Sequence, residues 1–226
     1  KDKTNKLDPS PFQQENKLVS VGINDGYYCM YHKTHTDFLV AKNYKDIQAI
    51  LDKTTLLIGH NLKFDLAWLY ECGFKYEGRV YDTMIAEYIL LRGIKKKVSL
   101  KESCNRRKIG QKSDIVDTYL KQEIGFDLIP WGIVEKYGRQ DVTVTRSLFN
   151  DQMKDFRLPL NKNLVSTIKM MNEFLLTLIE MERNGIYVDI KSLKAVEEEF
   201  VQEHEKLRAF IDKAMAHMMG DTPINP

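Results

Sequence analysis

Two short apolar runs, each broken by polar residues and each followed by a helical pattern, constrain the fold of this chain most. Thr55 to Ile58 reads as a buried strand running into Gly59, His60 and Asn61, after which Phe64 to Tyr70 turns helical. Arg79 to Tyr81 is a further strand candidate and leads into a helix from Thr83 to Leu91. Upstream, Leu18 to Ile23 and Tyr27 to Tyr31 are strand-like and are separated by Asn24, Asp25 and Gly26, a hairpin turn. Ile47 to Leu51 and Ser99 to Arg107 look helical, as does Trp131 to Gln152, which starts just after Pro130. A hairpin followed by alternating strands and helices predicts an α/β domain with a mixed sheet.

A different pattern begins near Pro159. Leu164, Ile168, Met171, Leu175 and Leu178 recur at spacings of four and three, one face of a long amphipathic helix. Asn184-Gly185 is a fitting left-handed ending. A short extended piece, Ile186 to Val188, then reaches Asp189, a reasonable N-cap. A second long helix carries Leu193, Val196, Phe200, Leu207, Phe210 and Ala214 on one face and ends near Gly220. The polar first 17 residues, with Pro9 and Pro11, suit a loop or arm.

Charge is informative in its distribution rather than its sum. The net charge of +2 over 226 residues is common among proteins that never touch nucleic acid. Between Arg92 and Lys112, however, nine Lys or Arg residues stand against one acid, Glu102. Such a stretch can lie along a phosphate backbone and release counterions, and it can equally be a solvated face. Cys29, Cys72 and Cys104 are far apart without metal-ligand spacing, which points to free thiols in a reducing compartment. No apolar run reaches the roughly 18 residues of a membrane span. The expectation is a soluble protein of the cytoplasm with no membrane partner.

Two carboxylates stand out for chemistry. In His60-Asn61-Leu62-Lys63-Phe64-Asp65 a short strand delivers a polar turn, and a helix starts with an aspartate in its first turn, near the positive helix end. In Tyr137-Gly138-Arg139-Gln140-Asp141, a helix would put Tyr137 and Asp141 on one face, four residues apart. Taken singly, each has a plain structural reading: a helix-capping Asp beside a loop, and a surface pair. His60 alone is read as a satisfied structural histidine.

Together the segments resemble the second and third motifs of the DEDD exonuclease superfamily, and Tyr137 resembles the tyrosine that marks the subgroup in family A, DNA polymerase I-like enzymes. Tyr81-Asp82-Thr83-Met84 running into Ile89-Leu90-Leu91 is similar to the family's D-T helix, and Ser99-Leu100-Lys101 to its S-L-K segment. Ile129-Pro130-Trp131 resembles a phage branch of these polymerases. Met181-Glu182-Arg183-Asn184-Gly185-Ile186 with Asp189 resembles the stretch that opens the polymerase domain, and Ile224-Asn225-Pro226 a segment shortly downstream.

The resemblance implies a ribonuclease H-like proofreading domain over residues 1–157 and the first thumb-forming helices of a polymerase over 158–226. It implies hydrolysis of the 3′-terminal phosphodiester of DNA with two divalent metals, Mg²⁺ or Mn²⁺, which suit oxygen ligands. Asp65 and Asp141 would be the metal ligands, with Tyr137 orienting the attacking water. Asn61 would position the frayed 3′ end, and Arg106, Arg107 and Lys108 would contact DNA. Partners would be the rest of the polymerase chain and replication accessory proteins. The family's first motif, D-x-E at the end of an apolar strand, has no counterpart before Leu18: over Lys1-Asp2-Lys3-Thr4 it would put lysines at both acidic positions. The chain by itself is therefore expected to lack a central strand, to hold half of the metal site and to be weak or inactive. A catalytically dead scaffold or DNA-binding domain of a polymerase is the second reading. A ribonuclease D-like nuclease is the third, and it gives no reason for Met181 to Asp189.

Overall fold

The computed structural model of the chain describes residues 10–13, 16–26, 29–34, 40–110 and 115–219. The segments Lys1 to Thr4, Tyr27-Tyr28, Lys112 and Ile224 to Pro226, which carry sequence expectations, lie outside the described residues. The chain divides into two compact units, 1–183 and 184–226. No helix among the described residues is long and apolar enough to cross a membrane.

In the first unit the expected hairpin forms, its second arm running on to Lys33, two residues past the Tyr31 that the pattern suggests. β1 (Ser20–Asn24) pairs antiparallel with β2 (Cys29–Lys33), Ser20 opposite Lys33 and Asn24 opposite Cys29. The turn is held by Asn24, whose Oδ1 accepts from the amide of Gly26 at 2.9 Å. Helix α1 (Val40–Lys53) follows, then β3 (Leu56–Gly59), α2 (Leu62–Glu71), β4 (Arg79–Asp82) and α3 (Thr83–Leu90). β3 and β4 are parallel, Leu56 opposite Arg79 and Gly59 opposite Asp82, so both strands end at one edge. The expected single mixed sheet is thus two two-stranded sheets among the described residues, one antiparallel and one parallel. No described strand bridges β1 and β3, and both rest instead on one long helix.

That helix is α6 (Trp131–Phe156), preceded by α4 (Leu100–Arg107) and the short α5 (Ile115–Lys121). Only Val116 of α5 is buried, which is why no apolar period announces it. Pro130 sits at the N-cap of α6, where its missing N–H costs nothing. The helix buries Val134, Gly138, Val144, Leu148, Gln152 and Phe156, a stripe that meets both sheets and α3, α4 and α5. Gly138 is there because nothing larger fits: a Cβ would lie 2.1 Å from the Tyr31 ring. α7 (Leu164–Asn184) closes the unit through Ile168, Asn172, Leu175 and Ile179. Leu175 and Ile179 join Ile47, Leu51, Leu62, Leu66, Leu69, Phe74 and Val80 in the main core. Each such aliphatic side chain, fully buried, stabilises the fold by about 1.5–3 kcal/mol.

The second unit is the helix α8 (Ile190–Met219) and its lead-in. Gly185 takes the left-handed φ of 66° that ends the preceding helix, and Asp189 caps α8. Its Oδ1 accepts from the amides of Lys191 and Ser192 at 3.0 and 3.2 Å, and its Oδ2 from the Ser192 hydroxyl at 2.8 Å.

Candidate functional site

β3 and β4 end side by side, and each delivers a polar residue at that edge. After β3 the chain turns through Asn61, a non-glycine residue at φ 63°, ψ 46°, the left-handed region that Asn tolerates better than most. The Asn61 side chain is exposed and makes no capping bond to α2. The cap comes from β4. Asp82, 1% exposed, accepts from the amides of Asn61 (Oδ1, 3.1 Å) and Leu62 (Oδ2, 2.8 Å). The same Oδ1 accepts from the Met84 amide at 2.8 Å, which caps α3. One carboxylate thus satisfies orphan amides at the start of two helices, where their dipoles favour negative charge.

His60 is tied into the same corner. Thr83 has one hydroxyl proton and gives it to the Gly59 carbonyl (2.8 Å), so the 2.9 Å contact with His60 Nδ1 makes that nitrogen the donor. This Nδ1–H bond to Thr83 anchors the turn.

Asp65 lies in the first turn of α2, one helical turn beyond Asn61. Its side chain is accessible from solvent while protein surrounds it on the other sides. Loss of solvent around the carboxyl first, and then the charges of Asp82 and Asp141, together raise its pKa from 3.8 to about 7. The structure therefore brings Asp65 and Asp141, 76 positions apart in sequence, within electrostatic reach of each other. Asp141 sits on α6, four residues past Tyr137, whose ring meets that of Phe126 edge-on with centroids 6.3 Å apart. Tyr31 of β2 belongs to this neighbourhood as well. Burial raises its phenol pKa, the hydrogen bond with Ser20 (2.7 Å) lowers it, and the Asp141 and Glu135 charges raise it. Its ring lies 5.5 Å from that of Trp131, over which Lys33 Nζ stands at 5.4 Å.

The two carboxylates suit a hard cation, because their mutual repulsion is relieved by a divalent ion bound between oxygen ligands. Among the described residues no three Asp, Glu, His or Cys side chains gather as a metal site. Asp82 is close to Asp65, but its oxygens face amides rather than open space.

Two of the three cations expected to contact DNA, Arg106 and Arg107, face carboxylates of the protein. Glu87 of α3, 2% exposed, accepts from Arg106 (3.1 and 2.8 Å), from Arg107 (2.8 Å) and from Gln152 of α6 (3.0 Å). Arg107 also reaches Asp151 and Asp155 of α6 at 2.9 and 2.7 Å. Burial pushes the Glu87 carboxyl up, and the hydrogen bonds of Gln152, Arg106 and Arg107 outweigh it and hold the carboxyl below its usual range. Arg106 and Arg107 are thus spent on α3 and α6. Of the three, Lys108 remains exposed, at the left-handed C-cap of α4. Asp82 and Tyr31 are the residues that sequence reasoning left without a role. An Asp directly before a helix start was a readable N-cap signal, whereas nothing local marks Tyr31.

Compared with known proteins, residues 7–155 match the 3′-5′ exonuclease family of DNA polymerase A type. The chain is 29% identical to the DNA polymerase of Bacillus phage SP01 over 95% of its own length and 25% of that protein. It is 29% identical to DNA polymerase I of Borreliella burgdorferi over 79% of this chain and 20% of that protein. It is 27% identical to DNA polymerase I of Aquifex aeolicus over 81% of this chain and 33% of that protein. The chain thus spans about a fifth to a third of the length of these relatives.

Proposed function

The chain belongs to the 3′-5′ exonuclease family of DNA polymerase A type, and on that premise we propose that it removes 3′-terminal nucleotides from DNA as the proofreading part of a polymerase. Residues 1–157 are read as a ribonuclease H-like nuclease domain and residues 158–226 as the opening helices of the polymerase domain. The observation that carries the site assignment is the electrostatic coupling of Asp65, at the head of α2, with Asp141 on α6.

In this reading Asp65 and Asp141 hold divalent metal, Mg²⁺ or Mn²⁺, which supplies Lewis-acid activation of water and stabilises charge on the leaving oxygen. Tyr137, on the same helical face as Asp141, orients the attacking water. Asn61 offers an exposed amide side chain, one helical turn before Asp65, to the terminal nucleotide. Exposed Lys108 supplies a phosphate contact, while Arg107 ties Glu87 of α3 to Asp151 and Asp155 of α6 and Arg106 adds a second cation at Glu87. Single-stranded DNA is the substrate and the rest of the polymerase the partner, in a cytoplasmic setting.

In the full-length protein Asp65→Ala and Asp141→Ala are expected to abolish Mg²⁺-dependent 3′→5′ degradation of single-stranded DNA and to leave nucleotide incorporation intact. Degradation that persists in either variant would remove the assignment. A non-catalytic scaffold is the second reading, favoured by the absence, among the described residues, of any group of three His, Cys, Asp or Glu side chains that could hold a metal ion. It predicts DNA binding with no Mg²⁺-dependent degradation in the unsubstituted protein.

A further inference from the structure

The Asp82 carboxylate is a buried acid at the edge of the site that the nuclease chemistry does not use. It lies at the end of β4, is 1% exposed, and accepts from three amides: Asn61, Leu62 and Met84. Two of those amides are on another element, the turn that leads from β3 into α2. Its own amide donates to Asn172 Oδ1 at 2.8 Å, and the Asn172 Nδ2 donates to the Ile168 carbonyl at 2.9 Å. β4, α3, α7 and the head of α2 therefore meet at one buried residue, α7 through its backbone amide and the others through its carboxylate.

Asn61 needs such help. A left-handed residue without glycine's freedom costs of order 1–3 kcal/mol, and it persists only where its surroundings over-determine it. Here the Asn61 side chain does not cap the helix, so the carboxylate across the corner is what fixes its amide and that of Leu62. Asp65 follows within one turn, so its direction is set by the pitch of that first turn. Hydrogen bonds to an ionised acceptor are about twice as strong as neutral ones, which suits a joint that must not move.

We propose that Asp82 is a positioning residue: it locks the left-handed Asn61 turn and so fixes where Asp65 presents its carboxylate to a divalent cation. It takes no part in the chemistry, since its oxygens are occupied by amides. The role rests on the nuclease reading only in naming the cation; the joint itself rests on the hydrogen bonds.

The test separates the two halves of the joint. Asp82→Ser in the full-length protein keeps a short acceptor for the Met84 amide and so keeps the cap of α3, but it cannot also reach Asn61 and Leu62. The amides of Asn61 and Leu62 are expected to exchange with deuterium at least about tenfold faster than in the parent, with Met84 little changed. The Mn²⁺ concentration for half-maximal binding, followed by the paramagnetic signal of free Mn²⁺, is expected to rise several-fold, and single-stranded DNA binding in EDTA to stay within about twofold. Asp82→Asn, which keeps one carbonyl oxygen, is expected to fall between the two and serves if the Ser variant does not fold. Unchanged exchange at Asn61 and Leu62, or faster exchange with unchanged Mn²⁺ binding, would overturn the proposal. If the parent itself degrades no DNA, the nuclease reading fails, while the exchange and Mn²⁺ results still decide the role of Asp82.

Discussion

At Asp65 the protonated and charged forms are near balance at neutral pH, because desolvation first, then the charges of Asp82 and Asp141, raise the carboxyl pKa to about 7. The consequence for stability has a definite sign. Below the ordinary carboxyl pKa of 3.8, folded and unfolded chains both keep the proton. As pH rises toward 7 the unfolded chain releases it first, so the folded state loses relative stability across that window and the loss is complete above it. Asp65→Asn removes the effect. Without metal, the variant is expected to melt higher than the parent at pH 8, with the gap closing near pH 4; thermal unfolding in EDTA at both pH values measures it. Added Mg²⁺ is expected to erase the advantage by stabilising only the parent. An equal melting difference at both pH values would exclude a raised Asp65 pKa. The position of Asp65 was legible because the chemistry is written locally, in a strand, a polar turn and an acid one turn into a helix. The role of Asp82 was not, because its partners Asn61 and Leu62 lie 21 and 20 positions away and only the parallel pairing of β3 with β4 brings them together.

Elements show the same division between local and distant causes. α2, α3, α4 and α6 lie close to their sequence-derived bounds, α6 announced by Pro130, and the structure shows Ser99 capping α4 and Asp82 capping α3. What fastens them is not periodic. Arg107 of α4 joins Glu87 of α3 to Asp151 and Asp155 of α6, and sequence alone presents it as one more surface cation. Arg107→Met takes one charged partner from the buried Glu87 while Arg106 and Gln152 remain, and a hydrogen bond to a charged group is worth about 1.5–3 kcal/mol. Chemical denaturation at pH 7 is expected to show a loss of that order. Glu87 is held below its ordinary value of 4.5, so its contribution is present above that pH and fades as pH falls through the lower folded value. The penalty of the Arg107 variant is therefore expected to shrink in acid. Gly138 makes a second joint, where α6 presses on the Tyr31 ring of β2. Gly138→Ala puts a methyl 2.1 Å from that ring, and the overpacking is expected to cost about 1–3 kcal/mol. Replacing Tyr31 by Leu in the same chain should recover part of it, whereas simple additivity of the two changes would show that the contact carries no strain.

Over the whole molecule, a net charge of +2 gives almost no global field to draw DNA in, so attraction must come from local density. The sequence locates that density between Arg92 and Lys112 but does not say which charges are available. Structure sorts them: Arg92 bonds the Leu160 carbonyl and Asn161, Arg106 and Arg107 face carboxylates, and Lys95, Lys96, Lys97 and Lys108 are exposed. On single strands each phosphate neutralised adds about 0.7 to the slope of log affinity against log salt. Replacing Lys95, Lys96, Lys97 and Lys108 by Gln is therefore expected to flatten the slope by up to about 3 if all four meet phosphate. Arg107→Met, tested where it remains folded, is expected to leave the slope unchanged, because its charge is already matched inside the protein. Fluorescence anisotropy of a labelled single strand across a salt series reads both. A slope that falls with Arg107 and not with the lysines would place the DNA path on the α3–α4–α6 joint and away from the exposed loop. A slope that moves with neither would make the whole basic stretch a solvated face, and the strand would then have to be held by contacts nearer Asn61 and Asp65.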